Sequence, residues 1–342
     1  MSEHRHRIAI EVSRGERELW RRQYHIRPYL EDASDDELAD RFPTIIQNMT
    51  TPTERGQIGA LPREPHGKYW YRLYVELEEA YRMRDGTPPR VLDGARLPRP
   101  TYPVPPRALE ALRSITTPEP GTYLVKYGAR KHMTDLYEKG QLLVSPANSY
   151  RDPSLNTAIR DDELTVSGVA LKSELRIGIP DKNTGEPIFE AAPLSNVVCT
   201  ATSIKNYFVY CVSSILDMRL FDDFGYDACV IFSDPADFIR RVQYAIEHHC
   251  GGWLTDHQLV RYIDPYNWRR EEQSDVFFAK HFRYWYQHEY RITWLPPLEY
   301  PERGQNECLS VMAMRLFYRD ARADNRRFER RLVRRSVQSR GA

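Results

Sequence analysis

An α+β protein is predicted by the order of patterns along this 342-residue chain: a helical N-terminal region, then a mixed, largely antiparallel sheet with flanking helices. Two observations carry the expectation. Apolar residues recur at helical spacing up to about residue 95, and from about residue 120 short β-prone runs punctuated by turns take over. Strict alternation of strand and helix is absent, which argues against a doubly wound parallel sheet.

Taken in order, the first 95 residues hold three expected helices. Glu16 to Tyr24 and Asp35 to Met49 have helical spacing, and Ser34 followed by Glu37 has the form of a capping box. Lys68 to Arg84 is the clearest, because Trp70, Leu73, Tyr74, Leu77 and Tyr81 fall on one face. The proline-rich run Leu97 to Pro106 cannot continue a helix, so residues 96–119 read as a connector with a short helix. Residues 120–312 are expected to form the α+β domain, with further helices at Pro235 to His249 and Asp256 to Tyr262, and residues 313–342 an arginine-rich helix or tail.

Composition removes several function classes. A formal net charge of +1 makes no whole-chain case for nucleic acid, so such a case must come from local clustering. Five scattered cysteines, Cys199, Cys211, Cys229, Cys250 and Cys308, read as reduced residues of a cytoplasmic protein. No stretch reaches the roughly 20 apolar residues that span a bilayer. No glycine-rich dinucleotide fingerprint follows a strand, and no phosphate loop occurs. His248, His249, Cys250 and His257 match no standard zinc spacing, so no metal is expected there.

The run Tyr284-Trp-Tyr-Gln-His-Glu-Tyr-Arg-Ile-Thr-Trp294 is the most informative stretch. Read as one strand, it points Gln287, Glu289 and Arg291 to one face and His288, Tyr290 and Ile292 to the other. Upstream lie Thr122 to Tyr127 with Gly128 to Arg130, the run Gly140 to Pro146 leading to Tyr150-Arg-Asp-Pro153, and the strand Tyr207 to Ser214 carrying Cys211-Val-Ser213. This order resembles domain-of-unknown-function family 2971, whose pattern is a Lys-Tyr strand, a short helix, an Asn-Asp-Pro-like turn, a Cys-Phe-Ser-like strand and a late Glu-x-Glu-Tyr-Arg strand. Gln287 stands where that pattern has its first Glu. The resemblance covers about residues 120–300 and implies an association with abortive infection and phage defence.

A sparser resemblance is to arginine-type ADP-ribosyltransferases, which hold NAD in a split antiparallel sheet rather than behind a glycine fingerprint. Their basic first-strand residue matches Lys126 or Arg130, their serine-bearing strand matches Ser213 and Ser214, and their late Gln/Glu-x-Glu matches Gln287 and Glu289. Lys126 stands where arginine or histidine is usual. This resemblance implies NAD as co-substrate. Glu289 would stabilise the cationic ribose, Gln287 orient the acceptor and Ser213 support Glu289. Lys126, Arg130, Ser214 and Arg291 would hold the cofactor, with Tyr127 or Tyr290 stacking on nicotinamide.

Two alternatives compete with that reading. The chief rival is a divalent-metal nuclease using the carboxylates Asp152, Asp161, Asp162 and Glu163, and a third reading is a non-catalytic module that senses a partner through its aromatic and basic surfaces. The C-terminal arginines, among them Arg326, Arg327, Arg330, Arg331, Arg334 and Arg335, are the best candidate contact to nucleic acid, since guanidinium forks match phosphate geometry. A protein acceptor is the other expectation, and no membrane partner is expected.

Overall fold

The structure is a computed structural model that describes residues 13–52, 58–62, 66–86, 119, 121–184, 186–268, 275–297, 309–312 and 330–334. The expected connector 96–119 lies outside the described residues except for Glu119, as do Arg326, Arg327 and Arg335. An α+β fold is present, with helices first and antiparallel sheet after. Two compact units are built from interleaved segments. One comprises Met1–Pro103, Ser167–Cys199 and Ile263–Glu272, so two segments expected within the later domain pack with the N-terminal region.

In that unit, helices α1 (Arg14–Ile26) and α2 (Asp35–Met49) both pack on α3 (Lys68–Met83). The Ser34–Glu37 capping box forms as the sequence predicts. Trp70, Leu73, Leu77 and Tyr81 are buried along one stripe of α3, which accounts for the helical spacing. Strands β1 (Thr50–Pro52) and β2 (Ile58–Ala60) form a small antiparallel pair. The buried Arg41 guanidinium is matched bidentately by Asp264, with Nη1 2.7 Å from Oδ1 and Nη2 2.5 Å from Oδ2.

The second unit comprises Val104–Val166, Thr200–Tyr262 and Gln273–Ala342. It opens with β3 (Leu124–Gly128), helix α4 (Arg130–Lys139) and β4 (Gln141–Pro146). Gly140 ends α4 in the left-handed region at φ 68°, where a side chain would be strained. β5 (Thr165–Ala170), β6 (Ile177–Pro180), β7 (Pro187–Ala191) and β8 (Val197–Thr202) follow, β6 and β7 as an antiparallel hairpin of the first unit. Then come β9 (Phe208–Ser213), α5 (Arg219–Phe224), β10 (Ala228–Phe232), α6 (Pro235–Glu247), β11 (Leu254–Leu259), β12 (Arg261–Ile263), β13 (Ala279–His281) and β14 (Glu289–Leu295). β15 (Leu309–Met312) and β16 (Arg330–Arg334) complete the described elements.

An eight-stranded antiparallel sheet organises this unit, in the order β11-β14-β9-β3-β10-β16, with β4 also on β9 and β15 on β4. One face carries a core of Leu124, Tyr210, Val212, Val230, Phe232 and Ile292 against Phe238 and Val242 of α6. The other carries Val125, Tyr127, Cys229 and Ile231 against Leu220 and Phe221 of α5. Among the described residues no helix is long and apolar enough to cross a membrane.

Three local expectations are corrected. Asp256 to Tyr262 is not a helix, because Leu254–Leu259 is an edge strand laddered onto β14 and exposed along most of its length, so no burial alternation marks it. Arg330, Arg331 and Arg334 lie in a strand rather than a helix, since the backbone of residues 330–334 completes the ladder on β10. The strand that carries Glu289 begins at Glu289 and not near Tyr284. Residues Phe282–Gln287 form a 3-10 turn, and His288, at φ 44° with its N–H donated to Trp285 O, ends that turn before the strand starts.

Candidate functional site

The sheet splits beside β9. Along one edge β9 is laddered to β14 from Phe208–Trp294 to Ser213–Glu289. Along the other it pairs with β4 at Phe208 and Val209 but with β3 only at Ser213. Between those points β3 and β4 diverge, and the Lys126 ammonium reaches across from β3 to the Cys211 carbonyl at 2.8 Å. A cavity of about 770 Å³ opens at the split, walled by β3, α4, β4, β9 and the segment 149–163. Lys126, Tyr127, Ser213, Gln287 and Glu289 all line it, together with Glu163 and Lys280.

Behind Glu289 lies a closed ring of charges, all buried. The Glu289 carboxylate accepts from Lys280 Nζ at 2.8 Å and from Arg291 Nε at 2.6 Å. The same lysine donates to Glu163 Oε1 at 3.4 Å, and Arg291 Nη2 lies 2.5 Å from Glu163 Oε2, out of line for a hydrogen bond. Asp161 stands 3.9 Å from Lys280 on the outside of the ring. With every group ionised, three carboxylates face two cations, a surplus of one negative charge. Charges taken out of water are tolerated in this way when paired and hydrogen-bonded.

The two glutamates respond in opposite directions. Burial alone would raise Glu289, but Arg291 and Lys280 outweigh it and hold the carboxyl well below the usual carboxylate range. Burial wins at Glu163, raising it against the pull of Arg291 and Lys280, in keeping with its longer contact to Lys280 and its misaligned contact to Arg291. Burial also opposes the Lys280 charge, yet Glu289, Glu163 and Asp161 together raise it well above its ordinary value. Lys126 is the reverse case: burial lowers it against the pull of the Cys211 thiol and Glu289.

Neighbouring groups fix the ring in place. Arg291 Nη1 donates to Phe277 O at 3.0 Å, the Glu289 N–H donates to the Tyr262 hydroxyl at 2.7 Å, and the Tyr207 hydroxyl donates to Glu163 O at 2.8 Å. Ser213 faces Glu289 in the ladder, but its hydroxyl donates to the Gln287 carbonyl at 2.8 Å and accepts the Ile215 N–H at 3.2 Å. It therefore anchors the turn that delivers β14. The Gln287 amide donates to Ala158 O at 2.7 Å. Tyr127 packs edge-on to Phe221, and its hydroxyl accepts the Asp217 N–H at 2.8 Å.

Tyr290, Arg291, Ser214 and Arg130 do not line the cavity. Tyr290 is on the opposite face of β14 from Glu289, as strand alternation requires, with its hydroxyl 2.7 Å from His257 Nδ1. Arg291 is fully buried behind Glu289 and does not line the cavity. Ser214 donates its hydroxyl to His288 O, and Arg130 pairs with Asp227 at 3.6 Å. Of the four carboxylates of the nuclease reading, Asp152 and Glu163 line the cavity, Asp152 capping Ser154 N; Asp162 pairs with Arg151, and Asp161 and Glu163 share Lys280. Among the described residues no group of three His, Cys, Asp or Glu is placed to hold a metal ion.

Lys280 and the pairing role of Glu163 are the parts sequence reasoning missed. One signal was present, since a lysine inside Val276-Phe-Phe-Ala-Lys-His-Phe282 is a charge in an apolar run and requires a buried partner. Glu163 gave none, being masked by the hydrophilic run Arg160-Asp-Asp-Glu163. Compared with protein-family models, curated proteins and solved structures, the chain gives no match.

Proposed function

We propose that this chain is an NAD-dependent mono-ADP-ribosyltransferase in which Glu289 stabilises the ribosyl cation. One observation carries the reading: a carboxylate held ionised by Lys280 and Arg291 stands on the wall of a nucleotide-sized cavity at the split of an antiparallel sheet. The volume, about 770 Å³, is within the range of small-molecule sites.

In the reaction the nicotinamide–ribose bond breaks, its electron pair goes to the ring nitrogen, and positive charge develops on the ribose as in glycoside cleavage. An acceptor nucleophile then takes the ribosyl carbon. A preorganised carboxylate favours that cationic state over the ground state. Lys280 is shared with Glu163 and Asp161, so a Glu289 oxygen turned toward ribose does not strand the lysine.

Lys126 is the basic group that meets phosphate, Tyr127 the aromatic wall for nicotinamide, and Gln287 the polar group beside the acceptor. Ser213 acts through the Gln287 carbonyl and so is a positioning residue. The acceptor is nucleic acid, met by Arg326, Arg327, Arg330, Arg331, Arg334 and Arg335, or else protein. The setting is the cytoplasm, in phage defence or toxin action, as the resemblance to family 2971 implies.

Labelled NAD tests the assignment, with nicotinamide release followed with and without nucleic acid or lysate. Glu289→Gln, shown folded by circular dichroism, should lose at least about a hundredfold, the range seen when one electrostatic stabiliser is removed. Undiminished nicotinamide release by that folded variant removes the transferase reading.

A further inference from the structure

The hairpin of β6 and β7 turns large apolar side chains to the outside. Ile177, Ile179 and Phe189 are 54%, 64% and 62% exposed, and Ile188, Leu194 and Val198 in the same segment are exposed as well. The register sets Phe189 across from Ile179 and Ala191 across from Ile177, so these four side chains share one face. A two-stranded hairpin is marginal in water unless a further strand or an apolar layer covers it. Among the described residues no third strand joins either of its edges.

The two ends of the hairpin differ in charge. Its turn carries Asp181 and Glu186 against the single Lys182, and the Asn183 and Thr184 N–H groups hold the Asp181 carboxylate in place at 2.7 and 3.0 Å. At the open end stands Arg176, whose guanidinium donates to Leu175 O, while the nearby Glu174 is taken up by Arg27. One end is acidic and the other basic.

We propose that a second copy of this chain covers this face, the two hairpins packing as a small antiparallel sandwich about a two-fold axis. Antiparallel stacking lays the acidic turn of each copy over Arg176 of the other, whereas parallel stacking would bring like ends together. Between the ends, Ile177, Ile179, Phe189 and Ala191 meet the same four residues, and no charge is stranded there. Taking on the order of 200 Å² for a fully exposed large apolar residue, the six exposed side chains leave roughly 800 Å², one partner's share of a standard interface. That exceeds the largest apolar patch of an ordinary monomer, about 300–600 Å². A lipid surface fits less well, because the polar turn Asp181-Lys-Asn-Thr-Gly-Glu186 would have to enter it.

This pairing does not depend on the transferase reading. The whole chain is followed by sedimentation from about 1 to about 100 µM, the range in which a dimer of micromolar affinity assembles, and a monomer–dimer transition is expected. Hydroxyl-radical labelling of the unaltered chain then locates the contact. Ile177, Ile179 and Phe189 should be labelled at least about threefold less in the dimer, as side chains at the centre of an interface are, while the exposed Leu254 and Leu259 of β11 keep their reactivity. Phe189→Lys, at an exposed position, should weaken the dimer at least about tenfold, because it buries a charge without a partner. A chain that stays monomeric at every concentration, or a dimer whose hairpin keeps its full labelling, overturns the proposal. The labelling decides even where the variant fails to fold.

Discussion

Glu163 and Glu289 are bound by the same two cations, Lys280 and Arg291, and each cation bridges both carboxylates. The ring draws on three stretches of sequence and sits behind the wall of the split. Removing one member strands the rest, which makes its contributions measurable.

Lys280→Met leaves two buried carboxylates with Arg291 alone. Removing one partner of a buried charge cluster costs about 3–5 kcal/mol, so the urea midpoint should fall steeply. Glu163→Gln in the same chain removes one of the stranded charges and should restore part of the loss. A double-mutant cycle in urea measures that coupling, and strict additivity of the two changes would show that the ring is not a unit.

Acid dependence should separate the two glutamates. Glu289 is lowered in the fold, so its stabilisation is complete above its unfolded value of 4.5 and is lost as pH falls through the lower folded value. Glu163 is raised, so its contribution is complete below 4.5 and is lost as pH rises through the higher folded value. Urea titrations across pH 3–8 should show the parent chain losing ground to Glu163→Gln as pH rises, and its advantage over Glu289→Gln shrinking below about pH 4.5.

Ser213→Ala removes a buried hydroxyl with two backbone partners and should destabilise by about 1–3 kcal/mol. Nicotinamide release should fall much less than in Glu289→Gln, because the hydroxyl meets the Gln287 carbonyl rather than the Glu289 carboxylate. Equal losses in the two variants would place Ser213 on the reacting groups.

Gly168→Ala tests the packing of the first unit. A Cβ there would stand 2.4 Å from the Trp268 ring, so either the buried indole or the strand must move. Overpacking of this kind costs about 1–3 kcal/mol, read as a lower melting temperature, and Trp268→Leu should relieve it.

Much of this architecture was legible because its signals are local. The Ser34–Glu37 box and the stripe on α3 both follow from residues read within one element. What stayed hidden depends on distant chain. The run around Glu289 reads as unbroken strand because nothing in the letters shows that His288 adopts a left-handed turn between Trp285 and β14. Edge strand β11 lacks alternation because solvent covers it, so Asp256 to Tyr262 imitates a polar helix. Lys280 becomes a site residue only once Glu163 has been brought to it.

The position of β14 also bears on how the chain is synthesised. Both of its neighbours, β9 and β11, precede it in the chain, and both present an edge to the place it will fill. Until residues 289–295 have left the ribosome, two strand edges wait on one missing insert, and the Glu163 carboxylate lacks Arg291. Such late, non-local closure favours slow folding and mispairing of the exposed edges, so a nascent chain stalled before Glu289 is the form most in need of a chaperone.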